Sequence, residues 1–267
     1  MLLRLILNDN KKIEKMDKQL VDELKIVIKE AGKMALDYRE AGLQVERKED
    51  DSPVTNADKE ISSFIHDHLL KLTPNIPVIC EEREPVLVDK EKTFWLIDPI
   101  DGTRSYISNK DSFTVNMAIV ENARALYGFI YQPTIDRLYF TDENKQFCIE
   151  VGGKSAENNM HDQEGFVAIV SSRSFNEKTA TYLKTNNFSE IIAVPSSVKL
   201  CIIAEGAGDV YPKFGPTMEW DIAAGHALIR AAGGEISTLD GNALKYAKED
   251  FENPQFIAVS RKWKEYE

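Results

Sequence analysis

The sequence predicts an α+β protein in which helices flank two sheets. Three observations lead there. The chain opens with apolar residues at helical spacing, its middle changes to short β-rich runs broken by turn residues, and its last part alternates strand and helix.

From residue 17 to about 39, Leu20, Leu24, Val27, Ile28, Ala31, Met34 and Ala35 form one stripe opposite a charged face, so this segment is expected to be an amphipathic helix. Residues 46–53 are polar and predict a loop or short ribbon. A second helix is expected over 58–72, with Ile61, Phe64, Ile65, His68 and Leu69 on one side and Thr73-Pro74 as its stop. Residues 77–80, 93–97, 113–120, 125–131 and 137–140 are rich in β-formers and predict strands, with Glu121-Asn122 and Gln132-Pro133 at turns. A polar linker is expected near 152–163. Beyond it, strands are predicted at 166–171, 191–194, 209–211, 235–238 and 255–260. Helices are predicted at 177–185, 197–205 and 220–232, the last closed by Gly233-Gly234. The expected division is an extension over 1–16, a half over 17–152 and a half over 153–267.

The chain's 267 residues can bury a large core, and its 43% hydrophobic and 29% charged residues suit a globular cytoplasmic enzyme. A net charge of -11 argues against binding a nucleic-acid polymer. It also opposes an anionic small substrate unless cations bridge the two. Cys80, Cys148 and Cys201 are far apart without CxxC spacing, as expected of reduced thiols. The opening run Met1-Leu2-Leu3-Arg4-Leu5-Ile6-Leu7 is too short to span a bilayer, so no integral membrane segment is expected. Two readings of it stay open: a packed or frayed extension, or a start at Met16. The expected location is cytoplasmic, with loose attachment to the inner membrane as an open alternative, and the expected state is monomer or homodimer.

The densest chemistry is Trp95-Leu96-Ile97-Asp98-Pro99-Ile100-Asp101-Gly102-Thr103, an apolar strand running into two aspartates. Pro99 keeps Asp98 extended, Gly102 permits a tight turn, and Thr103 is read as the N-cap of a following helical turn. Carboxylates there suit hard divalent cations, and free amides at Gly102 and Thr103 suit phosphate oxygens. Taken alone, the run is equally an Asp-Pro turn before a capped helix. Glu81 and Glu82 follow an apolar strand, where a solvated strand end is the bland reading. Asp221 sits where an acid complements a helix dipole. Thr55-Asn56-Ala57-Asp58 fits a capping box.

Together these blocks resemble the lithium-sensitive, magnesium-dependent phosphatases of the inositol monophosphatase superfamily and, within it, the CysQ family of 3'(2'),5'-bisphosphate nucleotidases. The resemblance is carried by Lys48-Glu-Asp-Asp-Ser-Pro-Val-Thr-Asn-Ala-Asp58, Pro77-Val-Ile-Cys-Glu-Glu82, the 95–103 run and Phe113-Thr-Val-Asn116. It continues through Ser172-Arg-Ser174, Ser196-Ser-Val-Lys199, Ala204-Glu-Gly206, Tyr211-Pro-Lys-Phe-Gly-Pro-Thr217 and Trp220-Asp-Ile-Ala-Ala-Gly-His226.

The resemblance implies a layered α/β/α/β/α sandwich of the inositol monophosphatase and fructose-1,6-bisphosphatase type. It implies two to three Mg2+ ions: one on Glu81, Asp98 and the Ile100 carbonyl, a second on Asp98, Asp101 and Asp221, and a weaker third touching Glu81 through waters. Most ligands would come from the N-terminal half, with Asp221 and the substrate contacts from the C-terminal half. Asp58 and Thr103 would pair to orient and deprotonate the attacking water, and the amides of Gly102 and Thr103 would hold the phosphate. Ser196, Ser197 and Lys199 would contact substrate together with Asp221, although Ser197 also reads as a plain helix cap. Lys213 stands where members of the family carry arginine, which replaces a two-pronged contact by a point charge. Lys48 reads either as a neighbour of the metal loop or as a surface lysine, and Arg104 as solvated. None of the four histidines is expected to be catalytic. The implied substrate is a small phosphorylated metabolite, adenosine 3',5'-bisphosphate. The alternatives are an inositol-1-phosphate or sugar-phosphate phosphatase, and a nucleotide-binding sensor without activity.

Overall fold

In a computed structural model, residues 5–7, 13–84, 88–158 and 164–266 are described, with side chains from Met16 onward. β1 (Leu5–Leu7) and β2 (Ile13–Met16) pair antiparallel, and Met16 is fully buried, its amide donating to Tyr127 Oη at 3.1 Å. The remaining residues of the expected extension lie outside the described residues.

Asp17 caps α1 (Lys18–Ala41) by accepting from the Leu20 amide, and the predicted stripe is its buried face. The ribbon of β3 (Val45–Arg47) and β4 (Pro53–Thr55) leads into α2 (Asn56–Leu72). Then come β5 (Val78–Cys80), β6 (Thr93–Asp101), α3 (Thr103–Ile107), β7 (Thr114–Glu121), β8 (Arg124–Gln132), β9 (Arg137–Thr141), β10 (Phe147–Val151) and β11 (Lys154–Ala156). The second part holds β12 (Val167–Ser171), α4 (Glu177–Asn186), β13 (Glu190–Val194), α5 (Val198–Glu205), β14 (Val210–Lys213), α6 (Glu219–Ala231), β15 (Glu235–Thr238), β16 (Phe256–Val259) and α7 (Arg261–Tyr266).

β1, β2, β10, β11 and α7 have no counterpart as elements in the sequence reading. β10 and β11 are short arms around Gly152 and Gly153, too short to show a period. The polar linker accordingly shrinks, and residues 159–163 of it lie outside the described residues.

Strands β5 to β11 make one sheet in chain order, antiparallel except for the β5–β6 pair. The other sheet runs β13-β12-β14-β16-β15, parallel at the first three strands and antiparallel beyond. The alternation of strand side chains then sorts the layers. On β6 and β7, Trp95, Ile97, Val115, Met117 and Ile119 pack with α1 and α2, whereas Phe94, Leu96, Ala118 and Val120 pack with α5, α6 and the inner face of the second sheet. On the outer face of that sheet, Ala168 and Val170 meet Leu183 of α4. The result is five layers, α/β/α/β/α, as the resemblance implies. The α6 layer lies so close to the first sheet that a Cβ on Gly128 would sit 2.2 Å from the Ala224 carbonyl oxygen.

Candidate active site

The same alternation aims the acids. Asp98 shares the face of Phe94 and Leu96, so its side chain points into the layer that holds α6, and it is 1% exposed. Pairing between β6 and β7 becomes irregular from Asp98 to Asp101, and the Ile100 amide turns back to donate to Asp98 Oδ1 at 3.0 Å. Glu81 follows β5, its amide donating to the Ile97 carbonyl at 3.1 Å, which holds it beside the end of β6. Asp221 is the third residue of α6. The helix has Met218 at its N-cap, which offers no oxygen, so Asp221 Oδ2 accepts from the Met218 amide at 2.9 Å.

Glu81, Asp98 and Asp221 each offer an oxygen, and these oxygens lie within 4.8 Å of one another. Burial, helped by repulsion from neighbouring acids, pushes all three carboxyls up although Lys48 lowers Glu81, with Asp98 well above the usual range and Asp221 at about 8. A hard oxygen donor set that repels itself this strongly fits a divalent cation such as Mg2+. Lys48 is one cation beside them: its Nζ donates to Glu81 Oε1 at 2.8 Å and Glu82 Oε1 at 2.6 Å. Burial opposes its charge, but the two carboxylates hold its pKa above the ordinary value. The metal-loop reading of Lys48 is the one the geometry supports.

Asp101 is arranged differently from the other three. Its Oδ2 accepts from the Ser197 amide and, at 3.5 Å, from Thr114 Oγ1. Burial raises its pKa while Lys199 lowers it. The Ser197 hydroxyl makes no cap bond to α5; it meets Thr114 Oγ1 at 2.7 Å and donates to Asn116 Oδ1 at 2.9 Å. The plain helix-cap reading of Ser197 is therefore replaced by a link between α5 and β7. Thr114 and Asn116 belong to the 113–116 block that carries the resemblance, but were given no role from the sequence. The available signal was two polar residues on the strand face that continues as Ala118 and Val120.

Two other expectations change. The N-cap of α3 is Gly102, in the left-handed conformation at φ 90°, and Thr103 is the first helical residue. Its Oγ1 donates to the Ile100 carbonyl at 3.1 Å, the carbonyl expected to bind metal. Asp58 completes the predicted capping box: its Oδ2 accepts from the Thr55 amide at 2.8 Å and Thr55 Oγ1 at 2.5 Å. The hydrogen bonds of Asp58 and Thr103 thus go to Thr55 and Ile100, not to each other. Burial lifts the Asp58 carboxyl to about 6 in spite of those bonds.

Beside the acids opens a cavity of about 220 Å³, lined by Asp101, Gly102, Ser196, Ser197 and Asp221 and by three cations, Arg173, Lys199 and Lys213. Burial lowers the Lys199 pKa to about 8, and its Nζ donates to the Ser196 carbonyl, where Ser196 sits at φ 52°. Lys213 donates to Ser174 Oγ at 3.1 Å and is also lowered by burial, while Arg173 donates to Ser105 Oγ at 2.9 Å. Arg173 was given no role from the sequence; its place after β12 comes from the fold. Arg104 is exposed, and His226 is enclosed by Tyr246 at 2.9 Å and Glu235 at 3.2 Å, apart from the acid cluster. Among the described residues, no helix is long and apolar enough to cross a membrane.

Comparison with known proteins places the fold in a family. Residues 12–267 match the inositol monophosphatase family. A curated 3'(2'),5'-bisphosphate nucleotidase CysQ from Salmonella typhimurium is 36% identical over 217 residues, which are 80% of this chain and 88% of that protein. The crystal structure of CysQ from Bacteroides thetaiotaomicron aligns with a TM-score of 0.76 at 33% identity, covering 91% of this chain and 98% of that one. An IMPase from Thermotoga maritima shares the fold, with a TM-score of 0.75 at 21% identity over 93% of this chain and 94% of its own. The chain belongs to the inositol monophosphatase family.

Proposed function

We propose that this chain is a Mg2+-dependent phosphatase that hydrolyses the 3'-phosphate of adenosine 3',5'-bisphosphate to AMP and phosphate. The observation that carries the reading is adjacency: Asp221, a member of the repelling trio with Glu81 and Asp98, lines with Asp101 the same cavity that Arg173, Lys199 and Lys213 line. Acids to hold cations and cations to hold anions meet at Asp101 and Asp221, which suits a phosphate monoester that carries a second phosphate. The CysQ relatives, named as bisphosphate nucleotidases, favour that substrate class.

Glu81, Asp98 and the Ile100 carbonyl, and Asp98 with Asp101 and Asp221, would hold two ions, with a third near Glu81. Bound Mg2+ supplies Lewis acidity, lowering the pKa of water and neutralising charge on the leaving oxygen. The remaining work falls to the chain. Asp58, lifted to about 6, would accept a proton from the attacking water, and Thr103 would orient that water once its hydroxyl leaves the Ile100 carbonyl. The Gly102 and Thr103 amides would hold the phosphoryl oxygens. Ser196, Ser197 and Lys199 would face the nucleotide, with Lys199 and Lys213 beside its second phosphate. The reading places the enzyme in the cytoplasm, where its three cysteines stay free thiols.

Phosphate release from adenosine 3',5'-bisphosphate and from inositol-1-phosphate, side by side with Mg2+ and with or without Li+, tests the proposal. AMP as the product, strict Mg2+ dependence and Li+ inhibition are expected. Faster release from inositol-1-phosphate would overturn the substrate assignment.

A further inference from the structure

Among the described residues, two buried side-chain polar atoms have no hydrogen-bond partner, Arg137 Nε and Asn116 Nδ2. Arg137 still donates through Nη2 to Glu205, so its charge is paired. Asn116 has no such outlet. It is 1% exposed, and its amide nitrogen carries two N–H groups that neither the protein nor bulk solvent accepts. A buried donor left unpaired destabilises a fold, so its persistence calls for a partner that the empty site lacks.

The strand register says which partner is in reach. Asn116 lies directly across from Asp98 on β6 and from Ile130 on β8, with Thr114 and Ala118 next to it on the same face. Its Oδ1 accepts from the Ser197 hydroxyl at 2.9 Å, and that hydroxyl oxygen stands 2.7 Å from Thr114 Oγ1. The amide oxygen is thus held toward α5 on the Thr114 side. Ile130 and Ala118 are apolar, which leaves the Asp98 carboxylate as the neighbouring acceptor on the sheet for Nδ2. β7 sets one polar residue opposite each acid of β6, Thr114 in register with Asp101 and Asn116 with Asp98. Thr114 Oγ1 already reaches Asp101 Oδ2 at 3.5 Å, whereas Asn116 makes no bond to Asp98. Asp98 is tied through Oδ1 to the Ile100 amide.

We propose, on the metal-site reading above, that Asn116 is a positioning residue for Asp98. Its Nδ2 donates to the Asp98 carboxylate when that group turns to hold a divalent cation, and Ser197 keeps the amide oriented for it. The loaded site gains a charge-assisted hydrogen bond that the empty one lacks, so the same donor strengthens cation binding and destabilises the metal-free fold.

The test uses the full chain and compares the parent with Asn116→Leu and Asn116→Asp, by thermal melts in EDTA and in Mg2+ and by calorimetric titration with Mg2+. Leucine keeps the volume and removes the unpaired donor together with the acceptor of Ser197. Its metal-free Tm should lie within about 2 °C of the parent or above it, while Mg2+ binds about tenfold more weakly. Aspartate keeps the oxygen that Ser197 needs and sets a further carboxyl against Asp98, so the metal-free Tm should fall and the rise produced by Mg2+ should exceed that of the parent. A packing role alone would lower the metal-free Tm of Asn116→Leu by several degrees and leave the Mg2+ dissociation constant within about threefold of the parent; that result would overturn the proposal. So would an Asn116→Asp variant whose Mg2+-driven rise equals that of the parent, because residue 116 would then not face Asp98. In either case the metal site itself stands. No Mg2+ binding by the parent would overturn the metal-site reading, and the role of Asn116 with it.

Discussion

Replacing Asp98 by asparagine separates the repulsion within the acid cluster from its catalytic use. The Glu81, Asp98 and Asp221 oxygens lie within 4.8 Å of one another. At that separation, with an effective dielectric constant of about 20, each ionised pair repels by about 3.5 kcal/mol, and Asp98 takes part in two pairs. Proton uptake already relieves this, since Asp98 itself is pushed well above the usual range and Asp221 to about 8, so what Asp98→Asn removes is the cost of taking up that proton near neutral pH. A net relief of about 2–4 kcal/mol on neutralising Asp98 is therefore expected. Asparagine keeps the Oδ1 that accepts from the Ile100 amide, so the turn itself survives. For a chain of this size the gain corresponds to a rise in Tm of about 5–12 °C for the metal-free protein. The same change should abolish most activity and shrink the Tm rise that Mg2+ produces in the parent. Melting curves of parent and Asp98→Asn in EDTA and in Mg2+ check this. A metal-free Tm at or below that of the parent, or an undiminished Mg2+ effect, would refute the electrostatic account.

Three further outcomes are expected. Lys48→Met removes the ammonium between Glu81 and Glu82, so the metal-free Tm should fall by a few degrees and the rise produced by Mg2+ should grow; paired melts would read both. Lys199 is charged in the free enzyme below about pH 8, so kcat/KM for the bisphosphate should decline above that pH, and Lys199→Gln should flatten this limb while lowering the plateau; pH–rate profiles would show it. Gly128→Ala would drive a methyl into the Ala224 carbonyl and push α6, with Asp221, off the sheet, costing about 1–3 kcal/mol in denaturant titration together with weaker Mg2+ binding by calorimetry.

Much of this protein was legible in its sequence because local chemistry dictates it. The stripe from Leu20 to Ala35 could only be a helix with one apolar face, and Thr55 with Asp58 spelled the capping box that starts α2. The strand running into Asp98 and Asp101 offered a candidate site, although taken alone it reads equally as an Asp-Pro turn before a capped helix. The positions of β10 and β11 were not legible, because short arms around a glycine turn carry too few residues to show a period.

Tertiary structure decided the rest. Glu81, Asp98 and Asp221 are dispersed along the chain, and each alone has an ordinary explanation as a strand end, a turn or a helix start. Only the packing of α6 against the first sheet brings their oxygens together. The choice between Lys48 on the surface and Lys48 on Glu81, between Ser197 as a cap and Ser197 as a link to β7, and the joining of Arg173 to Lys199 and Lys213 were set in the same way. Propensity and periodicity act over a turn or two of chain, whereas electrostatic and hydrogen-bonding partners are chosen by distance in space, which the packed layers alone define.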